Sequence, residues 1–191
     1  MHETDTGDEI TSARVRTAQI VAAALLSGVL IFAGIAVFLV QQRGKGLSPP
    51  TGMPVISYAA VALFVLELAL WRFLPDQIAN NQVGKIARGA WTPGPGAPAT
   101  VFATDTDKLL SVFQTKTLVA NALLEAVALL GCVAYLVEGR LCVLAVVGGA
   151  ALLMLVTFPT RDNVAQWLAE RQDRIREIRQ SGDLPAPALD K

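Results

Sequence analysis

The stretch LVANALLEAVALLGCVAYLV, residues 118–137, decides what kind of fold this chain adopts. It is apolar along almost its whole length, with Asn121 and Glu125 as the conspicuous exceptions. A helix rises about 1.5 Å per residue, so a run of this length can cross a hydrocarbon layer about 30 Å thick. The sequence therefore predicts a transmembrane helix that carries a carboxylic acid near its middle.

Three more apolar blocks accompany this one. The chain has 191 residues, of which 53% are hydrophobic and 17% are charged, whereas soluble domains carry about 25% charged residues. The apolar residues are concentrated in blocks separated by polar segments, which is typical of membrane spans. The predicted spans cover residues 18–40, 54–74, 117–137 and 141–158. We therefore predict an all-α membrane protein with four transmembrane helices.

Lysine and arginine are distributed unequally between the two ends of the predicted spans. All but three of the 16 lie on the side that holds both termini and the central loop. The opposite side has Arg43, Lys45 and Arg140. Because basic flanks stay in the cytoplasm, this bias predicts a bacterial inner (cytoplasmic) membrane as the location, with both termini cytoplasmic. The outer loops are short, so we expect no large extracellular partner.

The sequence also indicates an internal repeat. A shift of 98 residues aligns TAQIVAAALLSGVLIFAGIA with TKTLVANALLEAVALLGCVA. Pro75 and Pro159 follow the second and fourth spans, and each is expected to end its span and open a polar cytoplasmic helix. We predict two parallel repeats, each a hairpin of two spans followed by such a helix. The predicted segments are a polar N-terminal segment (1–16), repeat 1 (17–88), a Pro/Gly-rich cytoplasmic loop (89–108), repeat 2 (109–180) and a disordered tail (181–191).

Small residues recur at a spacing of four within the spans. This spacing lets helix backbones approach closely, and close packing is a main source of helix association in lipid. Alanine-rich spans also produce the spacing without any specific contact, so both interpretations stand. The candidate packing residues are Ala24 and Gly28, Ala122 and Ala126, and Ala145 and Gly149.

The segment after the fourth span, residues 160–180, has the pattern of an amphipathic helix. One stripe is apolar and the rest is mostly arginine, glutamate, glutamine and aspartate. We favour a helix in the headgroup layer, with Trp167, Arg171 and Arg174 as interfacial anchors. The alternative is a face that docks on another helix. The apolar stripe consists of Val164, Trp167, Leu168, Ile175 and Ile178.

Two acids interrupt the predicted spans, Glu67 and Glu125. A charged group near the bilayer centre is costly, so such residues are candidates for function. Counted from the cytoplasmic ends, both would lie at roughly 12 to 14 Å depth. In one interpretation each acid stays protonated and donates a structural hydrogen bond, for which Ser27 and Asn121 are candidate partners. In the other, the acids form a reversible proton or cation site.

Residues 117–137 resemble the carboxylate-bearing helix of rotary ATP synthase c subunits, the membrane proteolipids. The resemblance covers about twenty residues and implies a helical hairpin in which Glu125 carries a proton. Two features depart from that family. The glycine-repeat helix is absent, and Glu125 lies in the first helix of its hairpin, whereas Glu67 lies in the second, as in the family. The resemblance therefore suggests a protonatable carboxyl and nothing further.

The remaining residues do not assemble a recognisable reaction centre. Neither Cys132 nor Cys142 has a CxxC neighbour, so we interpret both as packing residues and expect no metal and no cofactor. The net charge of zero gives no reason to expect nucleic acid. We predict a non-enzymatic scaffold or subunit of a membrane complex, whose partners are the lipid bilayer, further copies of itself or other membrane proteins. The alternative function is proton or ion handling through the buried acids.

Overall fold

The computed structural model describes residues 3–44, 53–93, 102 and 104–181. These residues form five α-helices and no strand, which confirms the all-α class. Residues 182–191 of the predicted tail and residues 94–101 and 103 of the predicted Pro/Gly-rich loop lie outside the described residues. The helices are α1 (Glu3–Gln42), α2 (Val55–Ala87), α3 (Asp105–Glu138), α4 (Cys142–Val156) and α5 (Arg161–Gln180).

Three of the described helices are long and apolar enough to cross a membrane by themselves. They are α1 from Val15 onward, α2 and α3. The fourth, α4, has 15 residues and would rise only about 22 Å. Helix α4 is long enough for a span only when α5 is counted with it, and the two helices are bent by 69° relative to each other. The described helices therefore support three or four membrane spans.

Helix α2 does not end where the sequence suggested. Pro75 was expected to end the second span, but it lies inside α2, which continues to Ala87. A proline in a helix leaves one carbonyl of the preceding turn without its usual donor, and a long helix whose remaining hydrogen bonds are intact tolerates this loss. Pro159, in contrast, lies between α4 and α5. The Thr160 side chain there accepts a hydrogen bond from the Asn163 N–H and caps α5.

The chain divides into two compact units, and each predicted repeat contributes residues to both. The apolar unit consists of Ala18–Pro75 and Thr117–Phe158. The polar unit consists of Met1–Thr17, Asp76–Lys116 and Pro159–Lys191. The boundaries between the units fall at or next to ends of the spans that hydropathy predicts.

The core of the apolar unit is formed mainly by α1, α3 and α4. It contains small side chains that allow the helices to approach closely, such as Ala36, Ala128 and Ala150, none of which is exposed. A second, smaller cluster of Ala60 and Val143 with Ala134 connects α2 to α3 and α4. The outer surface of this unit is apolar as well. Exposed large side chains include Ile31, Phe38, Val65, Phe73, Leu152 and Leu155.

The polar unit has the opposite distribution of side chains. Among the described side chains, every large hydrophobic one that is exposed belongs to the apolar unit, and the polar unit has none. Its own apolar residues form a closed core, with Leu109 fully buried and Ile86 1% exposed. The core combines residues of four helices: Val15 of α1, Ala79, Val83, Ile86 and Ala87 of α2, Leu109, Leu110 and Val112 of α3, and Val164, Trp167, Leu168 and Ile175 of α5.

Candidate functional site

Glu67 lies near the middle of α2, within the apolar unit. The residue is half-buried, and its Oε2 atom is fully buried. This oxygen accepts no hydrogen bond from any residue that the structure describes. Burial of a carboxyl oxygen without a hydrogen-bond donor is energetically costly. Among the four candidate polar residues, Glu67 alone has a buried side-chain atom without a hydrogen-bond partner in the part of the chain that the structure describes.

Glu125 lies on α3 and faces α1. Its Oε1 atom is 4.0 Å from the point that a Cβ atom on Gly28 would occupy. Asn121, one turn earlier on α3, is 3% exposed, whereas Ser27 is exposed. Within the described residues, no hydrogen bond joins Glu125 to Asn121 or to Ser27. The Glu125 carboxyl therefore lies next to Gly28, which has no side chain, and it bonds to neither of the two expected partners, Asn121 and Ser27.

The predicted packing residues fall into two groups. Gly149 of α4 is in close contact, since a Cβ atom there would lie 3.3 Å from Cζ of Phe64 on α2. Gly28 lies next to the Glu125 carboxyl, whose Oε1 atom is 4.0 Å from the Cβ position of Gly28. The four alanines of the set are exposed within the monomer: Ala24, Ala122, Ala126 and Ala145. The closest contact involves a residue that the sequence analysis missed, because a Cβ atom on Gly131 of α3 would lie 2.8 Å from Cγ2 of Val147 on α4.

The apolar stripe of α5 packs inside the polar unit. Trp167 is 9% exposed, and its ring meets that of Phe113 edge to face, with 5.3 Å between the centroids. Leu168 and Ile175 belong to the same core. This packing is the arrangement described by the helix-docking alternative, and it leaves little of the Trp167 ring available at the surface.

Two cations lie over the Trp167 indole, and each of them bonds to a polar partner. The Cζ atom of Arg171 lies 5.6 Å from the ring centroid, and the Nζ atom of Lys116 lies 6.0 Å from it. Lys116 donates a hydrogen bond of 2.6 Å to Oδ1 of Asp76, and Nη1 of Arg171 donates one of 2.6 Å to Oδ1 of Asn80. We call these five residues the indole cluster. Arg174, the third predicted anchor, is exposed on the same helix.

A second group of charged residues in the polar unit is centred on Asp105. Nη2 of Arg179 lies 2.8 Å from Oδ2 of Asp105, and Nζ of Lys108 lies 3.3 Å from Oδ1. Partial burial acts to raise the pKa of Asp105, but the hydrogen bonds and charges of Arg179 and Lys108 outweigh it and hold that pKa below its ordinary value. Arg179 also donates a hydrogen bond to the Ala87 carbonyl, the last of α2.

Glu138 has a structural role that the sequence analysis did not predict. Its carboxylate accepts hydrogen bonds from the backbone N–H groups of Ile56 and Ser57 and from the Ser57 hydroxyl, all in the first turn of α2. Burial acts to raise the pKa of Glu138, but the Ser57 hydroxyl, the two N–H donors and the charge of Arg140 hold it below its ordinary value. A negative group at a helix N-terminus also interacts favourably with the helix dipole. Two features of the sequence could have indicated this role. Glu138 directly follows the predicted span 117–137, and the first turn of α2 contains no acidic residue of its own.

The described residues contain no cluster of three or more histidine, cysteine, aspartate or glutamate side chains that could hold a metal ion. Cys132 is buried in the apolar unit and Cys142 is exposed, and both are free thiols. Comparison of the chain with protein-family models, with curated proteins and with solved structures gives no match.

Proposed function

We propose that this chain is a multi-pass protein of a bacterial inner membrane that acts as a non-enzymatic scaffold or as a subunit of a membrane complex. The observation that carries the proposal is the contrast between its two units. The apolar unit exposes large hydrophobic side chains that suit a lipid or another membrane helix, whereas the polar unit buries its apolar residues as a water-soluble domain does. A membrane anchor joined to a folded domain suits the assembly of a complex, because the anchor holds the protein in the bilayer while the domain offers a surface to a partner.

The contacts within the polar unit support a fixed surface for a partner. Helix α5 is held to α2 and α3 by polar bonds as well as by its core residues. Arg171 bonds to Asn80, Gln172 donates to Thr106 at 3.0 Å, and Arg179 bonds to Asp105. Polar contacts that connect separate helices favour one packing arrangement over its alternatives.

The orientation belongs to the same proposal. The polar unit and the segments that flank it carry most of the lysines and arginines, which supports a cytoplasmic position for this unit and for both termini. A reporter that fluoresces only in the cytoplasm, fused after Lys191, is expected to fluoresce. A reporter that is active only outside the inner membrane, fused at the same position, is expected to stay inactive. The reverse result would contradict the orientation.

Crosslinking in living cells tests the scaffold role. A photo-reactive amino acid at Phe73, which is 62% exposed, is expected to give a discrete adduct with a second protein or a second copy of this chain. The same amino acid at Leu109, which is fully buried, is the control and should give no adduct between chains. We also expect an adduct from Arg174, on the surface of the polar unit. Lipid adducts alone at both exposed positions would contradict a scaffold.

A second function, proton or ion handling, is favoured by one observation, the unsatisfied and buried Oε2 atom of Glu67. The test compares Glu67→Gln and Glu125→Gln, which keep the side-chain shape but cannot ionise. Proton handling predicts that a carbodiimide labels one of these acids less as the pH rises and that the glutamine variant abolishes ion movement in vesicles. Glu177→Gln, on the exposed surface of α5, is the matched control. A scaffold tolerates all three changes.

A further inference from the structure

Two buried hydrogen-bond donors of α5 lack an acceptor. They are Nε1 of Trp167 and Nε of Arg171, and neither finds a partner among the residues that the structure describes. Both groups can only donate. The two side chains are also neighbours, because the Arg171 guanidinium lies over the Trp167 ring. Two unpaired donors beside each other can both be satisfied by one ligand that carries several acceptor oxygens.

The charge of the indole cluster has the sign that suits an anion. Lys116 is balanced by Asp76, the one carboxylate of the cluster. Arg171, in contrast, bonds to Asn80, whose amide oxygen is neutral. No described carboxylate lies within ion-pair distance of Arg171. The cluster therefore retains one positive charge, and a guanidinium presents its donors in a geometry that matches phosphate oxygens.

The position of the cluster along the chain suggests the source of that phosphate. Asp76 directly follows Pro75, and Lys116 directly precedes Thr117, so both residues adjoin the apolar unit in sequence. Residues that flank predicted spans lie at the depth of the lipid headgroups, where phosphate groups are concentrated. We propose that Trp167, Arg171 and Lys116 form a binding site for a phosphate ester, supplied by the headgroup of an anionic lipid. The inference depends on the proposed membrane embedding but not on the scaffold role.

The indole N–H gives a direct measurement of binding. The chain has 3 tryptophans, so the detergent-solubilised full-length protein should show three indole N–H resonances in a proton–nitrogen NMR spectrum. The Trp167→Phe variant keeps an aromatic ring against Phe113 and identifies the Trp167 signal by its loss. Titration with dihexanoyl phosphatidylglycerol is expected to move this signal to a saturating value, because the N–H gains an acceptor.

Matched variants separate a built site from general attraction. Arg171→Gln is expected to weaken the apparent affinity about tenfold, as for the loss of one charge-assisted hydrogen bond. Arg174→Gln removes the same charge from an exposed position of the same helix, and we expect a change of less than about twofold. Asn80→Asp keeps an acceptor for Arg171, but the new carboxylate neutralises the charge of Arg171. This variant should therefore also weaken lipid binding. This second variant serves if Arg171→Gln fails to fold, as judged by circular dichroism.

Two control ligands identify the source of the phosphate. Dihexanoyl phosphatidylcholine has no net charge and is expected to bind more weakly than dihexanoyl phosphatidylglycerol. Saturation by inorganic phosphate alone, at the same concentration as the lipid, would support the site but assign it to soluble phosphate esters. Equal losses from Arg171→Gln and Arg174→Gln, or a Trp167 signal that no ligand moves, would overturn the proposal. A missing crosslink at Phe73 would leave this titration unaffected, so the two proposals can fail separately.

Discussion

Glu138 at the end of α3 holds Ser57 in the first turn of α2 through two hydrogen bonds, one from the backbone N–H and one from the hydroxyl. The two residues are 81 positions apart in sequence and belong to different predicted repeats. The carboxylate also receives the Ile56 N–H at 2.7 Å. A side chain distant in sequence therefore does what a local N-cap residue does in most helices.

Removal of this cap should destabilise the protein. Glu138→Ala leaves two N–H groups and one hydroxyl without their acceptor, so we expect the midpoint of thermal unfolding in detergent to fall by about 2 to 4 °C. Glu177→Ala changes an exposed glutamate of α5 that has no such role and should leave the midpoint unchanged. Equal midpoints for the two variants would show that the cap contributes nothing measurable.

The same contact predicts a dependence on pH. Because the pKa of Glu138 in the folded protein lies below its ordinary value of 4.5, the contact stabilises the protein above that value and is lost as the pH falls through the folded-state pKa. The difference in unfolding midpoint between wild type and Glu138→Gln should therefore be constant near neutral pH and shrink below about pH 4. A difference that grows on acidification would have the wrong sign.

Gly131 should tolerate no side chain. An added Cβ atom would lie 2.8 Å from Cγ2 of Val147, a contact that requires α3 and α4 to separate or Val147 to move. We expect Gly131→Ala to destabilise the protein by about 1–3 kcal/mol, as overpacked cores do. Gly34→Ala is the matched control, since no atom of the described residues lies within 4 Å of its Cβ position, and alanine there should be neutral or slightly stabilising. Denaturant unfolding in detergent measures both variants.

The two units should respond differently to the same truncation. Leu109→Ala removes a fully buried side chain from the polar unit and is expected to cost about 2–5 kcal/mol. Leu152→Ala removes a side chain that is 60% exposed on the apolar unit, where detergent or lipid replaces the lost contacts. We expect a change of less than about 0.5 kcal/mol there. Denaturant unfolding compares the pair, and similar losses at the two positions would contradict the assigned surfaces.

Asp105 provides a test of the polar unit alone. Arg179 and Lys108 hold its pKa below 3.8, so Arg179→Gln should raise that pKa toward the ordinary range. Carbon NMR of the labelled carboxyl group follows the titration directly. Arg176→Gln removes a neighbouring cation that pairs with Asp173, at 3.1 Å, and should leave the Asp105 titration unchanged. Identical titrations in the wild type and Arg179→Gln would show that the pair does not form.

Hydropathy predicted the all-α class and the membrane-compatible helices because apolar length is a local property of the chain. The continuation of α2 through Pro75 could not be predicted in the same way. The cost of one lost hydrogen bond is local, whereas the contacts of Val83 and Ile86 that stabilise the helix beyond it are tertiary. The pattern of α5 predicted an apolar stripe correctly but did not identify what covers Trp167.

The candidate sites show the same limit. Glu67 and Glu125 stood out because charge is rare in a span, but the oxygen left unsatisfied on Glu67 depends on where α2 packs. The cap made by Glu138 and the close contact at Gly131 depend on partners 81 and 16 residues away. No periodicity in the sequence encodes such distances.

The polar unit is assembled from three stretches of chain that the spans separate. Its core needs Val15 from the first stretch and Ile175 from the last, so it can close only after the chain has been synthesised through Ile175. Until then, apolar residues of α2 and α3 remain uncovered and accessible to chaperones and proteases. Closure of this core therefore brings together segments that lie before, between and after the apolar stretches of the chain, and it comes late in the folding of the protein.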